Sequence, residues 1–310
     1  MEEKIEIMNL LQSKQVLEHE LQSFAYGSVE IRENESNKYI YVHYREDGVA
    51  LTKYVGEYSD ELYNLVLNNS IKAKQLKKQI REITKKLKQL NYTEEELSEK
   101  VQQNIDFAKR HLVDTIYKQA ILEGVATTFA DTESIIEGGK VNNMTSEDIL
   151  KIVNLKHAWE FILNKNVILS DTNFALLCEI NKMVEEGFYY TAGKVRNTPV
   201  TIGGTTWKPD LPIESVIKEE LEEIFSKELD DIDRAIELLL YTMKKQVFID
   251  GNKRTAVIYS NHYLISKGKG IIAIPAELTE EFKDLLIPYY EGKDENKIRE
   301  FIKEKCYMNI

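Results

Sequence analysis

Thiols are nearly missing from this 310-residue chain, which carries two cysteines, Cys178 and Cys306, far apart in sequence. Neither lies in a CxxC or Cys/His neighbourhood, so no zinc site or disulfide framework is indicated. No secretory leader is expected, because Met1-Glu2-Glu3-Lys4 is acidic and no apolar h-region follows. No apolar run approaches the ~18 residues of a membrane span. Cations are outnumbered, 41 Lys and Arg against 52 Asp and Glu, for a net charge of -11. That balance argues against generic nucleic-acid or anionic-membrane binding. No repeat or low-complexity tract stands out. A soluble, cytoplasmic protein of one large or two ordinary domains is expected, with 43% apolar residues to build its core.

What is present is mostly helical in period. Ile5, Met8, Leu11, Leu17 and Leu21 recur at helical spacing over residues 5–22. The period then changes. Tyr39-Ile40-Tyr41-Val42-His43-Tyr44 is β-branched and aromatic, and turn-like residues flank it. Strands are expected at about 28–32, 38–44 and 49–55. So few strands seldom stand alone, which predicts packing on neighbouring helices. Residues 58–90 read as one long helix with Lys72, Lys77, Arg81 and Lys85 on its polar side. A solvated face of a helical hairpin or coiled coil is the plain reading of those charges, and a nucleic-acid patch the sharper one.

Asn91 and Tyr92 break that helix, and Thr93 with Glu96 forms a capping box for the next. Further helices are expected through Ile105–Ile121, over Thr132–Ile136 up to Gly138-Gly139, from Ser146, and after an Asp171 cap. Val200-Thr201-Ile202, Gly203-Gly204 and Thr205-Thr206-Trp207 read as a β-hairpin between Pro199 and Pro209. Helices resume around 213–226, 231–245, 253–266, 279–289 and 294–305. The expected class is mainly α, with a small α+β amino-terminal module at 1–57, a helical connector at 58–114 and a main domain at 115–310.

The densest chemistry is Gln246-Val247-Phe248-Ile249-Asp250-Gly251-Asn252-Lys253-Arg254-Thr255. A glycine loop entering a helix turns free N–H groups and the positive end of the helix dipole toward an anion. Lys253 and Arg254 reinforce that charge, and Asp250 is a hard oxygen ligand suited to Mg²⁺. Together they suggest a bound nucleotide phosphate with metal. The stretch is not a Walker A loop, because GxxxxGK[ST] is absent. Phe248 reads as a core anchor. Taken alone, Asp-Gly-Asn-Lys is also an ordinary turn before a helix.

The surroundings favour the first reading. The stretch resembles the Fic/Doc (Fido) signature HxFx(D/E)GNxRxxR, with Phe248, Asp250, Gly251, Asn252 and Arg254 in register. Lys253-Arg254-Thr255-Ala256 looks most like the death-on-curing branch. Gly193, Arg196, Val200, Ile202 and Gly203 resemble the family's flap, and Ser134-Ile135-Ile136-Glu137-Gly138 its inhibitory helix motif (S/T)xxxE(G/N). The resemblance covers roughly residues 115–310 and implies a Fic-type helical domain with a β-hairpin flap. It also implies ATP or another nucleotide as donor, Mg²⁺ on Asp250, and phosphates on Gly251, Asn252, Lys253 and Arg254. A target protein would be docked by strand addition at Thr201, Ile202 and Gly203, and Glu137 would be inhibitory. A homo-oligomer is compatible with it.

Three departures shape the function. Gln246 occupies the position of the histidine that, in the family, takes the proton of the target hydroxyl, and a carboxamide has no usable pKa near neutrality. The signature's second arginine is replaced by Val257, and position 133 is Glu rather than Ser or Thr. His262 lies further along the motif's own helix and is expected to point away from the phosphates, while His43, His111 and His157 fall in other elements and are expected to be structural or exposed rather than substitute bases. The expected function is a Fic-fold protein that binds Mg-nucleotide and has adenylyltransferase ancestry, with transferase activity weak or absent. The alternatives are a pseudoenzyme serving as a binding module and a Doc-like phosphotransferase.

Overall fold

The computed structural model describes residues 2–34, 37–46, 49–90, 92, 97–142 and 144–310. The chain divides into two compact units, Met1–Glu95 and Glu96–Ile310.

The first unit contains α1 (Glu2–Gln22), the strands β1 (Ser28–Asn34), β2 (Asn37–Glu46) and β3 (Val49–Glu57), and α2 (Asp60–Gln89). The strands form an antiparallel sheet in the order β1-β2-β3. The faces of β2 differ: Ile40 and Val42 are fully buried, while Tyr41 lies on the other face, 5.4 Å from the Tyr54 ring and under Arg32. Ser59 caps α2 by accepting from the Leu62 N–H. Val66, Ala73, Leu76 and Leu87 form its buried stripe, and α1 packs along α2. Part of the basic face is committed within this unit, with Lys72 2.6 Å from Glu20 and Lys77 over the Tyr26 ring. The long helix α2 falls within the first compact unit.

The second unit is helical. Its elements are α3 (Glu99–Arg110), α4 (Leu112–Leu122), α5 (Phe129–Ile136), α6 (Ser146–Ile162), α7 (Lys165–Ile168), α8 (Phe174–Val184), α9 (Glu214–Ser226), α10 (Asp231–Lys245) and α11 (Asn252–Ser266). The two-residue strand β4 (Ile271–Ile272), α12 (Thr279–Tyr290), α13 (Asn296–Phe301) and the strand β5 (Tyr307–Met308) complete it. α11 is the axis of the unit. Nearly every side chain from Asn252 to Ile265 is buried, so the helix has no solvent face, as expected of one enclosed on all sides. α10, α8, α6, α3 and α7 all pack against it.

Three local expectations need revising, and one falls outside the described residues. The helix drawn through Ile105–Ile121 is two helices, α3 and α4, which meet at His111 (φ -97°, ψ 8°), whose ring lies 4.5 Å from that of Phe107. Asn173, not Asp171, caps α8: its carboxamide oxygen accepts from the Leu176 N–H at 3.0 Å. The Thr93/Glu96 capping box lies outside the described residues, and Ser98 caps α3.

The third revision concerns the flap. The glycine turn stands at Gly203-Gly204, but the arms on either side form no ladder. The second arm is drawn onto α12 instead. Thr205 donates its hydroxyl to Glu291 at 2.6 Å, and Trp207 stacks on Tyr290 with ring centroids 5.6 Å apart and planes 18° apart. The flanking Pro199 and Pro209 have no N–H to give a ladder. Among the described residues, Val200 to Gly204 make no backbone-to-backbone hydrogen bond.

Candidate functional site

The site forms where α10 ends and α11 begins. Gln246 terminates α10 in the left-handed region (φ 49°, ψ 59°), the one positive-φ residue other than glycine among the described residues. A side chain there costs on the order of 1 kcal/mol, and three hydrogen bonds hold it. Its Nε2 donates to the Met243 carbonyl at 2.7 Å, its Oε1 accepts from Asn252 Nδ2 at 3.2 Å, and its carbonyl accepts from Arg196 Nε at 2.6 Å.

Asn252 clips the loop shut. Its Oδ1 accepts from the Phe248 N–H at 3.0 Å and its Nδ2 donates to the Phe248 carbonyl at 2.8 Å. The asparagine carboxamide is thus spent inside the loop, and Phe248 anchors it in the core, 1% exposed. Gly251 has φ 72°, and a Cβ there would collide with the Glu185 carboxylate, so glycine is required on two counts. No side chain caps α11. Its first N–H groups, on Asn252, Lys253 and Arg254, have no partner among the described residues, which is the geometry that binds anions.

Around that turn the charges are unevenly satisfied. The Asp250 side chain is half exposed and accepts from the Gly251 N–H at 2.7 Å. Lys253 is a third exposed and lies 3.6 Å from Glu123. The Arg254 side chain is 3% exposed. Its Nη2 is 2.7 Å from Glu185 Oε1 and 3.9 Å from Asp250 Oδ1, and its Nε is 3.7 Å from Glu123 Oε2. The contact with Glu185 is an ion pair without hydrogen-bond alignment. Arg254 Nε and Nη1 have no hydrogen-bond partner among the described residues. Burial pushes the Glu185 carboxyl up to about 7, against the pull of Arg254 in the other direction.

The scaffold beneath is polar and nearly complete. Asn181 on α8 donates to the Asp250 carbonyl at 3.0 Å and to Thr255 Oγ1 at 3.1 Å, and accepts from the Gly193 N–H at 2.9 Å. Gln119 on α4 donates to the Arg254 carbonyl at 2.7 Å and accepts from Trp159 Nε1 at 2.9 Å. Arg196, 5% exposed, ties the base of the flap to the loop. Besides its bond to Gln246, it donates to the carbonyls of Thr198 at 2.8 Å and Asp210 at 2.6 Å. Arg196→Ala should lower the unfolding free energy in urea by about 2 kcal/mol, because part-buried carbonyls lose a charged donor. Unchanged stability would mean that water replaces the guanidinium.

The structure brings Gln246 and Asp250 to Arg254 together at the start of α11 and sets Thr201, Ile202 and Gly203 in the open turn segment. Glu137 stands apart: it is the exposed C-cap of α5 and makes no ion pair among the described residues. Val257 is buried in the core. The acids that do reach Arg254 are Glu123 and Glu185, which no sequence motif singles out. A weaker signal was present. Each is the C-cap of its helix, the end where the helix dipole disfavours an anion, so each calls for a nearby cation. His262 is fully buried, its Nε2 donating to the Val167 carbonyl at 2.8 Å and its Nδ1 accepting from Thr172 at 2.8 Å. His43 is committed on the sheet to Glu30 and Thr52.

No group of three or more acid, histidine or cysteine side chains suited to a metal occurs among the described residues. Asp250 alone fits Mg²⁺ only as a single carboxylate, with phosphate oxygens and water completing the shell. No helix is long and apolar enough to cross a membrane among the described residues.

A helical bundle wrapped around a buried central helix, with an uncapped turn at that helix's start and a glycine turn segment pinned beside it, is a Fic-like, mainly α fold. Residues 171–264 match the model of the Fic/DOC family. Solved structures agree in fold. Fic-1 (residues 134–508) from C. elegans superposes with a TM-score of 0.53 at 17% identity, over 79% of this chain and 77% of that one. A Fic domain containing signaling protein from Bacteroides thetaiotaomicron gives 0.51 at 19% identity, over 61% and 75%. A Fic family protein from Desulfovibrio desulfuricans gives 0.52 at 13% identity, over 67% and 72%. No curated protein matches the chain.

Proposed function

We propose that the second unit binds a nucleotide through its phosphates, with Mg²⁺, at the start of α11, and that it has the scaffold of a protein adenylyltransferase with little or no transfer activity. The observation that carries this reading is Arg254, buried with Nε and Nη1 unpartnered beside the uncapped first turn of the helix. A buried donor without a partner costs about 1–3 kcal/mol, and an anion at this turn would relieve it. In this reading the N–H groups of Asn252, Lys253 and Arg254 hold phosphate oxygens, and Lys253 adds charge from the rim. Asp250 would hold Mg²⁺, which neutralises phosphate charge when bound. Gln246 can orient a neighbouring hydroxyl but cannot take its proton. The unladdered segment Val200 to Gly204 offers free backbone groups for an extended target peptide.

Calorimetry with ATP and Mg²⁺ tests the reading. Binding is expected, weakened at least about tenfold by Arg254→Ala through loss of a charge-assisted contact, and weakened by Asp250→Ala only when Mg²⁺ is present. Absence of heat with ATP and with other nucleotides would sink it. The open flap would then favour the second reading, a module that recruits a partner protein without nucleotide.

A further inference from the structure

The acids around Arg254 come from three different elements. Glu185 closes α8, Glu123 closes α4, and Asp250 lies in the loop before α11. One guanidinium faces all three, with Lys253 beside Glu123 and Lys151 of α6 within electrostatic reach of Glu185. Their placement on the guanidinium is unequal. An arginine offers two edges with paired donors, Nε with Nη2 and Nη1 with Nη2. Those edges make its two-point contacts with phosphate. Nη2 carries one N–H on each edge, and Glu185 Oε1 lies 2.7 Å from it as an ion pair without a hydrogen bond. Nε and Nη1, the other donors of the two edges, are left without hydrogen-bond partners.

Glu185 is also fixed in place. The side chain is 2% exposed and packs under Gly251, whose missing Cβ makes room for the carboxylate. Such a carboxylate cannot swing into solvent without opening the loop.

We propose that Glu185 is a resident counter-anion of Arg254 that neutralises the guanidinium and crowds Nη2, so that it sets the phosphate affinity of the site and a phosphate must displace it to pair with Nη2. This inference rests on the nucleotide reading above. It assigns to Glu185, on α8, control of the arginine, while Glu137 on α5 remains exposed and unpaired with it.

The test compares the full-length wild type, Glu185→Gln and Glu185→Ala with ATP, inorganic pyrophosphate and adenosine as probes. It uses calorimetry with Mg²⁺ at pH 8, above the value of about 7 to which burial pushes Glu185. Thermal unfolding of each variant checks that it is folded. Glu185→Gln keeps the shape and removes the charge, and Glu185→Ala frees Nη2 outright. Both are expected to tighten ATP and pyrophosphate by about tenfold or more, the scale of one additional charge-assisted hydrogen bond, and to leave adenosine unchanged. Equal ATP affinity in wild type and in both folded variants overturns the role of Glu185 while leaving the nucleotide site standing. Equal tightening of adenosine also overturns it, because charge would not be the cause. If wild type and folded Glu185→Gln both bind neither ATP nor pyrophosphate, the inference and the nucleotide reading fall together.

Discussion

Gln246→His is expected to raise auto-modification by labelled ATP with Mg²⁺ by about 10²–10⁴-fold, the usual contribution of a positioned general base. The backbone is already prepared for it. Gln246 sits at φ 49°, and histidine, like asparagine and aspartate, is enriched in the left-handed region. The partners are prepared as well. The Met243 carbonyl that now accepts from Gln246 Nε2 at 2.7 Å would accept the Nδ1–H of an imidazole. That fixes the tautomer and leaves Nε2 free to take a proton. Phosphoryl transfer depends mostly on positioning and electrostatics, so restoring the base suffices if the rest of the turn is competent. The labelled atom decides the chemistry. Transfer from ATP labelled at the α phosphorus means adenylylation. Transfer from the γ position alone means the Doc-like reaction. If neither protein takes up label and both bind ATP, the scaffold serves binding rather than catalysis.

Acid should destabilise the second unit through His262. The ring is fully buried and burial pushes its pKa from 6.5 down to about 4, so the native state binds fewer protons than the unfolded chain between those values. Stability is therefore complete above pH 6.5 and is lost as pH falls toward 4, by about 3 kcal/mol from this residue alone. Glu185 acts in the opposite direction over part of the range. Its pKa is raised from 4.5 to about 7, which favours the native state as pH falls. A comparison with His262→Gln separates the two. Glutamine can donate to the Val167 carbonyl and accept from Thr172 as His262 does, without gaining a proton. Urea unfolding at pH 7 and pH 4 should show the wild type losing about 3 kcal/mol more than the variant. Equal losses would show that the ring is hydrated, or protonated, in the folded protein.

The helices were legible where one face is buried, as in α2 with its stripe from Val66 to Leu87, and the sheet where Ile40 and Val42 alternate with tyrosines. The turn into α11 was legible because Asp250 to Arg254 are consecutive and need no long-range help to come together. The flap was misread as a hairpin because its outcome depends on Trp207 finding Tyr290 and Thr205 finding Glu291. Those partners lie on and just beyond α12, and no local pattern announces them. The same reason hid Glu123 and Glu185. Each looks like an ordinary acid at a helix end until α4, α8 and α11 are packed and Arg254 is seen between them.

The bonds around Gln246 also bear on how this gene can change. Glutamine and histidine codons differ only in their third base, and the residue here keeps the turn, the Met243 acceptor and the Asn252 clip intact. The side chain at this position can therefore be exchanged by one point mutation without dismantling the loop. A lineage carrying this chain could lose or regain a proton acceptor within a single generation, and selection would see activity change with little accompanying change in folding.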